Sequence, residues 1–175
     1  AIALLQIADK SMAEQSKILD TVKAKLIQAN TDTTSIAGRT AIAKDVTKLL
    51  DQLNNIAKQT NYNGTTLLQK SAASSDEQTG LSFQIGESTA DSISTKTIQA
   101  NVTGFALDTL KGNVSDGAVV AADASATTSN IFTRGMASDG QAAVDLAITK
   151  LNGYRGDIGS TQNQVESAVR NLMTQ

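Results

Sequence analysis

Two pairs of carboxylates, Asp9 with Glu14 and Asp76 with Glu77, are the side chains whose types and spacing come closest to acid–base or divalent-cation chemistry. A working pair needs a partner that moves protons near neutral pH or further ligands for an ion, and the sequence supplies neither. The 175 residues contain no His and no Cys, which removes the commonest metal ligand, the usual proton shuttle and the thiolate nucleophile. Glycine-rich phosphate loops and converging acids are equally missing. These acids read as scattered charges on solvated helices and loops, so no enzyme activity, cofactor or metal is expected. Three sequons, Asn63-Gly64-Thr65, Asn101-Val102-Thr103 and Asn113-Val114-Ser115, fit the spacing of N-glycosylation, a three-residue pattern that chance supplies readily.

Fifteen Lys and Arg stand against 17 Asp and Glu, a net charge of -2. That balance gives no footprint for nucleic acid or an anionic membrane, and neither partner is expected. The apolar runs fall far short of the roughly 20 residues that span a bilayer. Aromatic residues make up 3% and Trp is absent, so the core must be built from Leu, Ile, Val and Ala. Such a core suits closely packed helices better than a ligand-filled pocket.

Those helices are visible as heptad seams. Leu5, Ala8, Met12, Leu19, Val22, Leu26 and Ala29 recur at alternating spacings of three and four, broken by Gln15. One narrow apolar seam of this kind demands partner helices. It predicts a first helix over residues 1–30, about 45 Å long, already under way where the chain begins. A second seam at Ile42, Val46, Leu49, Leu53 and Ile56 predicts a helix over 36–59, antiparallel to the first because the connector is short. Asn61, Asn63 and Gly64 supply the turn that ends it. A third seam runs through Val144, Ile148, Leu151, Arg155, Ile158, Gln162, Val165, Val169 and Leu172, in a helix expected to start at Ser138 or Asp139. Gly153, Gly156 and Gly159 each cost that helix about 1 kcal/mol relative to Ala, so docking must hold it. Between the second and third seams, Leu81, Phe83 and Ile85 alternate with polar residues, as do Ile93, Thr95 and Thr97, which predicts a β-hairpin region. Residues 101–135 lack strong periodicity and read as an irregular or variable surface insert, moderately exposed. The expected fold is α+β, mainly α, an elongated antiparallel bundle divided into 1–70, 71–100, 101–135 and 136–175.

Four strings, in order, resemble one family, the bacterial flagellins. Leu4-Leu5-Gln6-Ile7-Ala8-Asp9 with Glu14, Ile18 and Leu19, followed by Leu26-Ile27-Gln28-Ala29, resembles the opening of the long inner-rod helix and its "LAVQA" stretch. Asn54, Ile56, Gln59, Thr60, Tyr62, Asn63, Gly64 and Leu67 resemble "I…QTxFNGxxLL". Phe83-Gln84-Ile85-Gly86 is similar to "FQIG", and Arg155, Ile158, Gly159, Gln162, Asn163 and Val165 are similar to "R…LGAxQNRL". The resemblance implies a rod-like inner core without the terminal helices of a complete flagellin. It implies a structural subunit of an extracellular filament, exported through the flagellar secretion system, with other flagellin subunits, an export chaperone and a cap protein as partners. Trimmed in this way, the chain is expected to be a soluble monomer. The rival reading is a secreted helical adhesin or translocon-tip binding module.

The resemblance also nominates a face formed by Thr21, Lys23, Lys25, Leu26 and Asp45, which in many flagellins makes filament contacts and is sensed by the flagellin-detecting Toll-like receptor. Laid on "LQRVRELAVQA", residues 19–29 place Thr21 where the family has Arg and Lys25 where it has a critical Leu. Weak receptor activation is therefore expected, consistent with immune evasion. Arg155 and Gln162, polar within an apolar seam, are candidate contacts that fix helix register. Ser125, Thr127, Thr128 and Ser129 are candidate O-glycosylation positions, since family members often carry glycans on outward hydroxyls.

Overall fold

The computed structural model describes residues 2–73, 78–84, 92–118 and 131–174. Helix α1 covers Ile2–Ala29 and α2 covers Ile36–Gln59, in line with the seams. Short strands β1 (Asn61–Tyr62) and β2 (Thr65–Thr66) follow, then β3 (Ser82–Gln84) and β4 (Ser92–Ser94). Helix α3, Asp108–Ala118, precedes α4, a 41-residue helix from Arg134 to Thr174. Helix α1 packs mainly on α4 and also on α2, while α3 lies chiefly on α2 and touches α4.

Local chemistry accounts for each boundary. The last turn of α1 is closed by Thr31 and Thr34, whose hydroxyls both donate to the Gln28 carbonyl at 2.9 and 2.7 Å. Ser35 caps α2 by accepting from the Gly38 N–H at 3.0 Å. Beyond α2, Asn63 and Gly64 take positive φ of 52° and 85°, the backbone a two-residue hairpin loop needs, and β1 pairs antiparallel with β2 across it. The second hairpin pairs Phe83 with Ile93 on its half-buried face. The alternation holds through Thr95 but not beyond. Ile98, not Thr97, is buried, because the chain there leaves the ladder for a single bridge to Thr79. Ile85 and the intervening Gly86 to Asp91 lie outside the described residues.

Two expectations are corrected. Helix α4 begins four residues earlier than Ser138, because Thr133 serves as its cap, accepting from the Met136 N–H at 3.1 Å, and the added turn buries Ala137. Among its described residues the anticipated insert contributes to the core: Val102, Phe105, Leu107, Leu110, Val114 and Phe132 are all buried. Leu110, Val114 and Gly117 form the inward stripe of α3, an element too short and too glycine-containing to announce itself by period. Gly117 lets the chain cross closely, since a Cβ there would stand 2.6 Å from the Cβ of Phe132. Arg39 fastens the same crossing by donating to the Phe132 and Thr34 carbonyls at 3.1 and 2.9 Å.

Three of the α4 glycines behave oppositely. A Cβ at Gly153, Gly156 or Gly159 would meet nothing within 4 Å, so the chain's own packing does not require them. Alanine at Gly153 and Gly156 should raise stability by about 0.5–1 kcal/mol each, measured as a higher urea midpoint at unchanged slope. A loss of stability at either position would show that the glycine backbone is needed inside the fold.

Candidate contact surface

Among the described residues, no group of three acids, His or Cys is placed to hold a metal, and no helix is long and apolar enough to cross a membrane. Glu14 is exposed, and Asp76 and Glu77 lie outside the described residues. A polar groove of about 470 Å³ lies between α2 and the segment after β2, lined in part by Asn55, Lys58 and Gln69. Its carboxylate, Asp51, is ion-paired with Lys111 at 3.3 Å. One neutralised acid cannot perform paired acid–base work. Of the sequon asparagines, Asn63 is exposed at its turn, Asn113 is half-buried in α3 and Asn101 is buried. Ser125, Thr127, Thr128 and Ser129 lie outside the described residues.

The five face residues nominated by sequence separate in space. Thr21, Lys25 and Asp45 do share a surface: with Lys48 and Leu49 they line an open depression of about 320 Å³ between α1 and α2. Lys25 crosses it to Asp45 at 3.1 Å. Lys23 points elsewhere and pairs with Asp145 of α4 at 2.6 Å. Leu26 is not on the surface at all. It is fully buried, because it follows Val22 by four residues and Leu19 by seven, which places it on the seam. The depression therefore presents an ion pair and a threonine, with the leucine directed into the core.

Arg155 finds a partner that sequence spacing could not indicate. Its Nε lies 2.9 Å from Asp9 Oδ1 and one terminal nitrogen 3.5 Å from Oδ2, so the acid that resembled half of a catalytic pair is half of an ion pair between α1 and α4. Both side chains are about a third exposed, so the pair is worth about 0.5–1 kcal/mol. Arg155→Met and Asp9→Asn should each lower stability by roughly that amount, and the double variant by no more than the worse single one, read from a thermodynamic cycle of urea midpoints. Full additivity would mean that the two groups do not interact. Gln162 is half-buried, and no side-chain hydrogen bond forms to it among the described residues.

The seam of α4 is also divided by its surroundings. Val144, Leu151, Ile158 and Val165 are buried, whereas Val169 and Leu172 are exposed. Leu146, on the outer face, is 73% exposed.

Residues 1–73 match the family described as bacterial flagellin N-terminal helical region. The chain is 39% identical to flagellin B of Helicobacter pylori over 99 residues, an alignment covering 53% of this chain and 19% of that protein. It is 30% identical to the flagellin of Bacillus subtilis over a 190-residue alignment that covers 98% of this chain and 59% of the other. The chain thus spans about a fifth of the Helicobacter proteins' length. By fold it is similar to the crystal structure of Bacillus cereus flagellin, with a TM-score of 0.70 at 22% identity, covering 97% of this chain and 84% of that one. A second similar fold is FliC from Burkholderia pseudomallei, with a TM-score of 0.64 at 14% identity, covering 93% and 98%. Through its first two helices by sequence, and over nearly its whole length by alignment to a flagellin, the chain is similar to the bacterial flagellins.

Proposed function

We propose that this chain is the rod-forming part of a flagellar filament subunit, a structural protein of the bacterial flagellum that assembles with other flagellin subunits and catalyses nothing. The observation that carries the reading is the family match joined to the surface of α4. An apolar seam continues through Val169 and Leu172 with no described element against it, and a seam of that kind is satisfied by further helices. Export chaperone and cap protein belong to the same reading as partners, and the extracellular flagellum as its place. No observation favours an adhesin or translocon-tip role. Electron microscopy of the full-length protein under salting-out conditions tests the proposal: filaments are expected, and their absence from intact full-length protein would overturn it.

The same reading extends to immune sensing. Thr21, Lys25 and Asp45 form the outward surface that a receptor would meet, and Lys25 is held in an ion pair where the family string it resembles has Leu. Reporter cells carrying the flagellin-detecting Toll-like receptor should respond weakly to the full-length protein. Lys25→Leu should strengthen the response, and full-strength signalling by the unaltered protein would sink this part of the proposal. Arg155 remains our candidate for a register contact, and Gln162 for a contact made between subunits.

A further inference from the structure

One irregular segment is gripped from every side. Gln15, the polar interruption of the α1 seam, is fully buried, and its amide donates to the Ala100 carbonyl at 2.7 Å and to the Leu53 carbonyl of α2 at 3.2 Å. Two residues along, the Val102 N–H donates to Asn54 Oδ1 of α2 at 2.8 Å. Asn101, also buried, donates to Gln69 Oε1 at 2.8 Å and accepts from the Gly104 N–H at 2.8 Å. From α4, Lys150 Nζ donates to the Gly104 carbonyl at 2.6 Å, and Tyr154 Oη accepts from the Gln99 N–H at 3.4 Å. The stretch Gln99–Gly104 is a strap with α1 and α2 holding one side and α4 the other.

We propose that this strap is a register clasp, which sets the axial position of α4 against the α1–α2 pair. Heptad seams repeat, so helices offset by seven residues, about 10 Å, bury nearly the same apolar surface. The α1–α2 offset is fixed by their tight connecting turn. Helix α4 returns from a distant part of the chain and has no such turn. At its far end it is tethered by an exposed Arg134–Asp32 pair and by Arg134 Nε and Gln141 Nε2, which donate to the Asn30 and Leu26 carbonyls at 3.2 Å each, contacts of modest energetic weight one by one. In the observed register the strap's buried amides and carbonyls are matched to partners on all three helices. In an offset register they would be buried without partners, which is costly for each group. Polar residues inside a seam specify alignment in this way. The clasp operates within one chain, so it holds whether or not the protein assembles into filaments.

The absence of Cys makes the test direct. Spin labels on cysteines introduced at Lys17 and Thr149 report the α1–α4 offset, and labels at Lys10 and Lys58 report α1–α2. The unaltered chain should give one narrow distance distribution for each pair. In Gln15→Leu and in Lys150→Met, the α1–α4 pair should acquire a second, longer distance reflecting a heptad shift of about 10 Å along the axis, with helix content retained and α1–α2 unchanged. Lys150 sits at the surface, so Lys150→Met carries the test if Gln15→Leu does not fold. A single unshifted α1–α4 distance in Lys150→Met would overturn the proposal, as would equal broadening of both pairs.

Discussion

Gly104→Ala is expected to produce the largest loss of stability of any single methyl addition in this protein. A Cβ at this position would stand 1.9 Å from the carbonyl oxygen of Gln99 and 2.8 Å from its carbonyl carbon. The obstacle is backbone, so no rotamer change can make room. The strap would have to move, and its hydrogen bonds to Asn101 and Lys150 would move with it. Overpacking plus lost buried hydrogen bonds puts the cost on the order of 3–5 kcal/mol, a fall in melting temperature of roughly 10 °C for a chain this size. The same substitution at Gly112, where a Cβ would meet nothing within 4 Å, should be stabilising or neutral. Thermal unfolding followed by circular dichroism separates the two, and a Gly104→Ala protein that melts with the unaltered one would contradict the close approach.

Leu26→Ala should be the second large effect, and it distinguishes a core residue from a surface one on the same helical turn. Leu26 is fully buried and faces a close approach of α4, since a Cβ on Gly140 would lie 3.1 Å from Leu26 Cδ1 and 2.8 Å from Leu110 Cδ1. Replacing its isobutyl group by methyl opens a cavity walled by three helices and should cost about 3–4 kcal/mol. Thr21→Ala, on the exposed depression, should stay within about 0.5 kcal/mol. Urea unfolding of both variants at one temperature decides the matter. Similar midpoints would place Leu26 at the surface, as its position within a receptor-facing string had suggested.

The case of Leu26 shows how the sequence was informative and where it misled. Its seam spacing and its place in a family contact string gave opposite orientations, and helical geometry permits one. Packing chose the seam, because the residue between Val22 and Ala29 on that stripe cannot turn outward without exposing the core. Gln15 carried a weaker signal. A lone polar residue in an apolar seam was visible, but its partners at Leu53 and Ala100 lie 38 and 85 residues away, and no local pattern joins them. Arg155 is similar, a noticeable interruption whose partner Asp9 is 146 residues distant.

Helix α3 failed for a different reason. Its stripe of Leu110, Val114 and Gly117 spans two turns and includes a glycine, so intrinsic propensity does not favour it. It is helical because α2 and α4 offer a surface on which that stripe is buried. The segment before it, Val102 to Leu107, reads as exposed from its small and polar composition, yet side chains of α2 and α4 and its own backbone turns satisfy its polar groups and permit it to be interior.

The sequence by itself determined the three long helices, the turn at Asn63-Gly64, the hairpin alternation as far as Thr95 and the likeness to flagellins. These depend on periodicity and turn chemistry, which act over a few residues and are written locally. The tertiary structure decided which charges meet, which face of α1 is outward, and that an irregular strap lies at the centre of the bundle. Those outcomes depend on groups brought together across tens of residues, where a buried amide or arginine is stable only beside a partner that folding itself delivers.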